Sequence, residues 1–292
     1  MDAVITYVNC LDVAWQQSYK ENVDAPLNVE RFRDWGTLPY LLRGIEKYMP
    51  FIKNVFLVVA SETQVPTWAS ENLNIVLHRD IIPEEFLPTF NSTTIEMYLH
   101  KIPGLDKKYV YFNDDLFPLK KMRESDFFVG DKPKVGIIHS YNTPRDMFQH
   151  QTKGSSDFAK KAAGLEPSNE IVRPEHTAIP FNRELVENFF DSYEEEIRKR
   201  CTMIREKKNF NQYVFTDYAY YTENLVPVSL HYKYFSIGNG VWGITQYILN
   251  PAETIMCIND SHKLTKKTFE NFKKTLLATF QRKFPKKSRF ER

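Results

Sequence analysis

Asn113, Asp114 and Asp115 follow without a break on Tyr109–Phe112, four apolar or aromatic residues that read as a buried strand. A strand rarely ends in three polar side chains, two of them acidic, unless its carboxyl end faces something polar. In open α/β sheets that end is where ligands sit. Two adjacent carboxylates there suit a hard divalent cation, because Mg²⁺ takes oxygen ligands, commonly one or two carboxylates together with substrate phosphates. Asn-Asp-Asp is also an ordinary way to begin a turn, so the triplet alone leaves both readings open. A second apolar run, Thr254–Ile258, ends in Asn259 and Asp260. Asp260 is either a further metal or acceptor contact or a turn residue closing a strand.

The elements that must position these groups can be read from periodicity. Ala3–Val8 is a short β-rich run. Leu38, Leu41, Leu42, Ile45 and Tyr48 share one face of a helix that Pro50 stops. Asn54–Ala60 is continuously apolar, as a parallel strand buried on both faces requires, and Asn74–Leu77 is another strand. FNSTTIEMYLHKIPG reads as a helix, with Thr93 and Glu96 at capping-box spacing and Pro103-Gly104 ending it. This β-α-β alternation implies an α/β fold with a mostly parallel, doubly wound sheet. The carboxyl ends of Ala3–Val8 and Tyr109–Phe112 then share an edge, which gathers Asn9, Asp12 and the Asp pair around one crevice. Val135–His139 is a further strand. Residues 141–169 are polar, with Gly154-Ser155-Ser156 inside, and read as a mobile loop or lid. Residues 183–224 are helical in pattern, Val226–Phe235 is strand-like, and Lys266–Phe284 is a basic helix. The expected organisation is one catalytic domain: an α/β core over 1–140, the lid over 141–169, a helix-rich part over 170–262, and the basic helix over 263–292.

Other side chains could serve the crevice. Arg31, Arg33 and Asp34 lie in RFRD and Arg43 in the next helix; they either pair with one another or reach phosphates. Asn91 and Ser92 precede a helix whose first amides would suit an anion, or simply cap it. His100 and Lys101 stand at that helix's other end, and His100 is as readily a structural partner as a ligand.

Composition narrows the class. Of 292 residues, 42% are hydrophobic and 26% charged, as in ordinary globular proteins. The net charge is only +2, so no general nucleic-acid signature is present. Cys10, Cys201 and Cys257 form neither metal-type spacing nor a disulfide framework, which points to a reducing compartment. With no signal peptide and no membrane span in the sequence pattern, a cytoplasmic protein is expected. From Lys263 onward basic residues dominate. That helix is a solvated face, a contact for an anionic acceptor, or a peripheral contact with the inner face of the cytoplasmic membrane. Its apolar residues, Leu264, Phe269, Phe272, Leu276, Leu277 and Phe280, favour docking on the domain.

Four segments carry a family likeness: DAVITYVN; RFRDWGTLPYLLRGIEKYMPFIKNVFLVV with LPTFNSTTIEMYLHKIPGLDKKYVYFNDDLF; RPEHTAIPFNREL; and IMCIND. In this order, over most of residues 1–260, they resemble the conserved regions of the Stealth proteins. That family of sugar-phosphate transferases includes bacterial capsule hexose-1-phosphate transferases and the catalytic subunit of the lysosomal GlcNAc-1-phosphotransferase. Cys10 departs from the glycine that often follows the family's Val-Asn pair, and the length leaves no room for the extra domains of some members.

The resemblance implies a Rossmann-like, GT-A-like fold and a donor, a nucleotide-diphospho-sugar with uridine expected. The donor yields its sugar-1-phosphate to a glycan hydroxyl and leaves UMP, in capsule or exopolysaccharide synthesis. It puts the family's acidic pair at Asp114 and Asp115, holding Mg²⁺ or Mn²⁺, with Asp260 beside them. It puts the family's histidine at His176, where an imidazole could take the acceptor proton. Arg205 falls where the family has an arginine, a fork suited to phosphate oxygens. Two alternatives stand beside this expectation. One is a GT-A-type glycosyltransferase releasing UDP; the other is a non-catalytic glycan-binding protein.

Overall fold

The computed structural model describes residues 1–141, 143–166, 168–229 and 232–292. The chain opens with β1 (Asp2–Thr6), α1 (Val13–Asn22), α2 (Leu38–Tyr48), β2 (Val55–Val59) and β3 (Asn74–Leu77). Two short helices, α3 (His78–Ile81) and α4 (Ser92–Met97), precede β4 (Lys108–Asn113) and β5 (Leu116–Pro118). Then come β6 (Phe128–Val129), β7 (Lys132–Tyr141), α5 (Met147–Ala162), β8 (Glu170–Pro174) and β9 (Ile179–Asn182). Helices α6 (Arg183–Ser192), α7 (Glu194–Arg200) and α8 (Tyr213–Tyr221) lead to β10 (Val226–Val228) and β11 (Tyr232–Ser236). The chain closes with α9 (Trp242–Leu249), β12 (Ile255–Asn259) and α10 (Lys266–Lys283).

The fold is α/β. Its central sheet runs β3-β2-β1-β4-β9, with the first four strands parallel and β9 antiparallel at the edge. The apolar strands are apolar throughout because each serves two cores. Val110 and Phe112 of β4 point into one, with α2, and Tyr109 and Tyr111 into the other, with α6 and α8. Each large apolar side chain buried this way contributes about 1.5–3 kcal/mol. The strand that delivers Asp114 and Asp115 is therefore anchored from both faces. A second sheet, β11-β12-β5, sets β12 antiparallel to β5 with Cys257 opposite Leu116. A third joins β10, β7 and β6, with β8 also paired to β7.

Helix α2 spans the residues its periodicity indicates and buries Leu38, Leu41, Leu42 and Ile45. Gly44 lets it lie directly on β5, because a Cβ there would stand 2.7 Å from the Pro118 carbonyl oxygen. The basic helix α10 docks on the same layer. Phe280 packs 4.6 Å from Phe117 and 5.3 Å from Tyr40, ring centre to ring centre. Beyond it, Arg43 clamps the last residues, donating to Glu291 at 2.8 and 2.6 Å and to the Phe284 carbonyl at 2.7 Å.

Four expectations need correction. Within the stretch read as a mobile loop, residues 147–162 form α5, packed against α8 and β8. Its buried residues are Gln151, Thr152, Ser155, Ser156, Ala159 and Lys160, most of them polar. Ser155 donates to Asn211, Gln151 donates to the Glu206 carbonyl, and Ser156 shares a hydrogen bond with Tyr221, so buried polarity passed for loop. The Thr93–Glu96 capping box does not form; Asn91 caps α4 instead. Val226–Phe235 supplies β10 and β11, which belong to different sheets. The part read as helix-rich also carries, among its described residues, the strands β8 to β12. Positions 142, 167, 230 and 231, which those expectations include, lie outside the described residues.

The α2–β5 contact yields a stability test. Gly44→Ala forces a methyl into a filled space and should cost about 1–3 kcal/mol, as overpacking does. Denaturant unfolding measures it, and an unchanged midpoint would mean that the helix lifts off β5 without strain.

Candidate active site

A cleft of roughly 1190 Å³ opens at the carboxyl ends of β1, β2 and β4. Asp114 and Asp115 form its floor, in the turn where β4 becomes β5. Asp115 Oδ2 lies 3.6 Å from His176 Nε2 and accepts from the Cys257 thiol at 3.4 Å, while its buried Oδ1 has no partner. Its carbonyl accepts from the Ile258 amide at 2.9 Å, which ties the turn to β12. Burial, then the charges of Asp115 and Asp34, push the Asp114 carboxyl up to about 8. Among the described residues, the one ion pair of either carboxylate is that with His176. Two neighbouring acids, short of positive charge and offering an orphaned buried oxygen, fit a divalent cation.

His176 sits between β8 and β9. Burial disfavours its imidazolium, but contact with Asp115 and the charges of Asp115 and Glu96 more than offset this, raising it above the ordinary histidine value. At 3.6 Å the His176–Asp115 separation is too long for a tight hydrogen bond.

Two arginines enter from different walls. Arg33 grips Asp260 in fork geometry, with Nε and Nη2 each 2.5 Å from a carboxylate oxygen, and Nη2 also reaches the Ser261 carbonyl at 2.9 Å. Trp35 and the Ser261 amide donate to the same carboxylate, at 3.0 and 2.5 Å. The guanidinium lies 4.7 Å over Phe269 of α10. Asp260 is thus committed to donors and not placed as a metal ligand; it holds Arg33 at the cleft wall. Arg205 donates to Ser92 of α4. Burial lowers its pKa and the charge of Glu96 opposes the shift. Ser92 and Glu96 are four apart on one helical face. Glu96 also accepts from Tyr111 and from the Gln212 amide, both at 3.3 Å, and burial raises its pKa.

The remaining expected ligands sit off the cleft lining. Asn9 exchanges hydrogen bonds with Gln64, and Asp12 caps α1 through the Trp15 amide. Arg43 is spent on the Glu291 clamp. Asn91 is buried; its amide nitrogen is 3.1 Å from the Thr202 carbonyl and 3.3 Å from that of Ile204. Its work is to hold the loop that carries Arg205. His100 is buried against Phe190, with burial pulling its pKa down to about 3. Lys101 pairs with Asp191 at the surface.

Sequence reasoning missed Glu96, Cys257 and Trp35. Glu96 had a usable signal in its four-residue spacing from Ser92. Cys257 had none, because only the β12–β5 register brings it to Asp115.

Residues 31–135 match the model of the Stealth protein conserved region 2. The capsular polysaccharide phosphotransferase WcwK of Streptococcus pneumoniae is 30% identical over 333 aligned residues, covering 100% of this chain and 98% of that protein. The exopolysaccharide phosphotransferase cps2G of Lactiplantibacillus plantarum is 28% identical over 331, covering 100% and 96%. Among solved structures, the galactosyltransferase LgtC bound to donor and acceptor sugar analogues matches with a TM-score of 0.46 at 11% identity, over 95% of this chain and 96% of that one. The matched region 2 contains the Asp114–Asp115 turn, and the WcwK likeness runs the length of the chain. This protein belongs to the Stealth family and is an enzyme of the phosphotransferase class.

Proposed function

We propose that the enzyme transfers a sugar-1-phosphate from a nucleotide-diphospho-sugar, of the UDP-hexose or UDP-N-acetylhexosamine kind, to a glycan hydroxyl, releasing UMP. The setting would be capsule or exopolysaccharide synthesis, as the names of its relatives suggest. The observation that carries the reading is the Asp114–Asp115 pair, without a Lys or Arg partner among the described residues, on the floor of a cleft beside His176.

Attack on phosphorus asks for charge neutralisation, an oriented nucleophile and a proton acceptor. A divalent cation on Asp114 and Asp115, Mg²⁺ or Mn²⁺ by hardness, would offset the charge of the donor's diphosphate. Arg33 and Arg205 would bind phosphate oxygens from two sides of the cleft, the one held by Asp260 and the other by Ser92. His176, raised above its ordinary value, would take the proton of the acceptor hydroxyl as the new P–O bond forms and the nucleotide phosphate departs.

A glycosyltransferase releasing UDP would use the same floor but attack the anomeric carbon; the phosphotransferase relatives favour the first reading. A non-catalytic module is set aside by membership in an enzyme family. Among the described residues no helix is long and apolar enough to cross a membrane. Contact with the inner face of the membrane, where we place the enzyme, would fall to exposed Lys266, Lys267, Lys274 and Arg282 of α10.

Cation, base and arginine clamp can each be tested. Nucleotide release from a panel of UDP-sugars should vanish with EDTA and return with Mg²⁺ or Mn²⁺, and His176→Ala should slow it by about 10²–10⁴-fold. Full activity in EDTA would contradict the cation; full activity of His176→Ala would contradict the base. Asp260→Asn should instead raise the donor KM about ten- to hundred-fold with a smaller fall in kcat, the loss of ~1.5–3 kcal/mol of charged hydrogen bonding at Arg33. An altered Mg²⁺ requirement in that variant would restore Asp260 to the metal.

A further inference from the structure

Cys257 has no part in the chemistry above, yet it stands against its centre. Its Sγ is 3.4 Å from Asp115 Oδ2, and His176 Nε2 is 3.6 Å from that same oxygen. The three donor atoms lie within 4.8 Å of one another. In a tetrahedral zinc site, Zn–O and Zn–N are about 2.0 Å and Zn–S about 2.3 Å, so neighbouring ligand atoms stand roughly 3.3–3.5 Å apart. The oxygen–sulfur and oxygen–nitrogen edges are already close to those lengths. The third edge needs only a modest closing movement.

The three residues come from separate elements fixed by different pairings. Asp115 is in the β4–β5 turn, Cys257 on β12 opposite Leu116, and His176 between β8 and β9. The cluster is therefore built by the tertiary fold before any ion arrives. Asp115 and His176 line the cleft, which gives an ion its way in. Three protein ligands with a fourth position open is the arrangement of non-structural zinc sites. A thiolate and an imidazole select a borderline-soft ion over Mg²⁺, which prefers oxygen donors.

We propose that Asp115, His176 and Cys257 form a second metal site, selective for Zn²⁺, whose occupation is incompatible with catalysis. On binding, the thiol passes its proton to solvent and the ion gains one carboxylate, one imidazole and one thiolate. The imidazole lone pair is then unavailable to the acceptor hydroxyl, and Asp115 is withdrawn from the hard cation beside Asp114. The enzyme is reversibly inhibited by zinc while Mg²⁺ supports it. The inhibitory consequence rests on the catalytic reading of His176 and Asp115; the binding itself does not.

The test uses EDTA-stripped protein titrated with Co²⁺, followed by Zn²⁺ competition against a chromogenic chelator, so that binding is read without an assay of activity. The expected result is one tight equivalent, a cobalt spectrum with thiolate charge transfer and tetrahedral bands, and displacement by Zn²⁺. Cys257→Ser and Cys257→Ala should each weaken Zn²⁺ binding at least about a hundredfold, while Cys10→Ser binds as the parent does. Far-ultraviolet circular dichroism identifies any variant that fails to fold, and either Cys257 variant suffices. A spectrum without thiolate character, or unchanged affinity in a folded Cys257 variant, overturns the site. Zinc that binds through Cys257 but leaves nucleotide release untouched overturns the inhibition and points to a different proton acceptor, with the metal site intact.

Discussion

Two carboxylates on consecutive residues, Asp114 and Asp115, share one half-buried turn with no guanidinium or ammonium paired to either among the described residues. Burial, and after it the charges of Asp115 and Asp34, disfavours the charged form of Asp114 and pushes its carboxyl up to about 8. The structure retains the turn by overdetermining it. β4 is packed from both faces, β5 is pressed by α2 through Gly44, and the Ile258 amide of β12 donates to the Asp115 carbonyl of the turn. Much of the remaining architecture can be read as support for this floor, because each layer that touches it also carries a cleft residue.

The supports and the ligands are interleaved. α4 caps itself with Asn91, which pins the loop bearing Arg205, and its first turn presents Ser92 to that arginine. α10 brings Phe269 under Arg33, while Asp260, from the end of β12, holds the guanidinium fork. The basic C-terminal helix is thus part of the cleft wall as well as an exposed charged surface. Arginines stand on the walls, each beside a carboxylate, Arg33 with Asp260 and Arg205 with Glu96, while the floor carries Asp114 and Asp115.

What the sequence disclosed follows from what determines each feature. Strands buried on both faces are apolar along their whole length, and α2 shows its face by spacing, so the α/β alternation and the position of the Asp turn were legible. Helix α5 was not, because its buried side is largely polar, with Gln151, Ser155 and Ser156 bonded to distant partners. Arg33 and Asp260 are 227 residues apart, so their fork could not be read from local spacing, and Asp260 looked like a free ligand. Glu96 looked like a capping residue until Asn91 took that role. Cys257 reaches Asp115 only through an antiparallel register formed across the fold.

The central claim is that the bond broken lies between the two phosphates of the donor and not between sugar and phosphate. It is tested most directly by supplying a UDP-sugar carrying a radioactive label on the phosphate attached to the sugar, with a glycan acceptor. Phosphoryl transfer puts the label in the glycan and leaves unlabelled UMP in solution. Label recovered in free UDP, with none in the glycan, would contradict it.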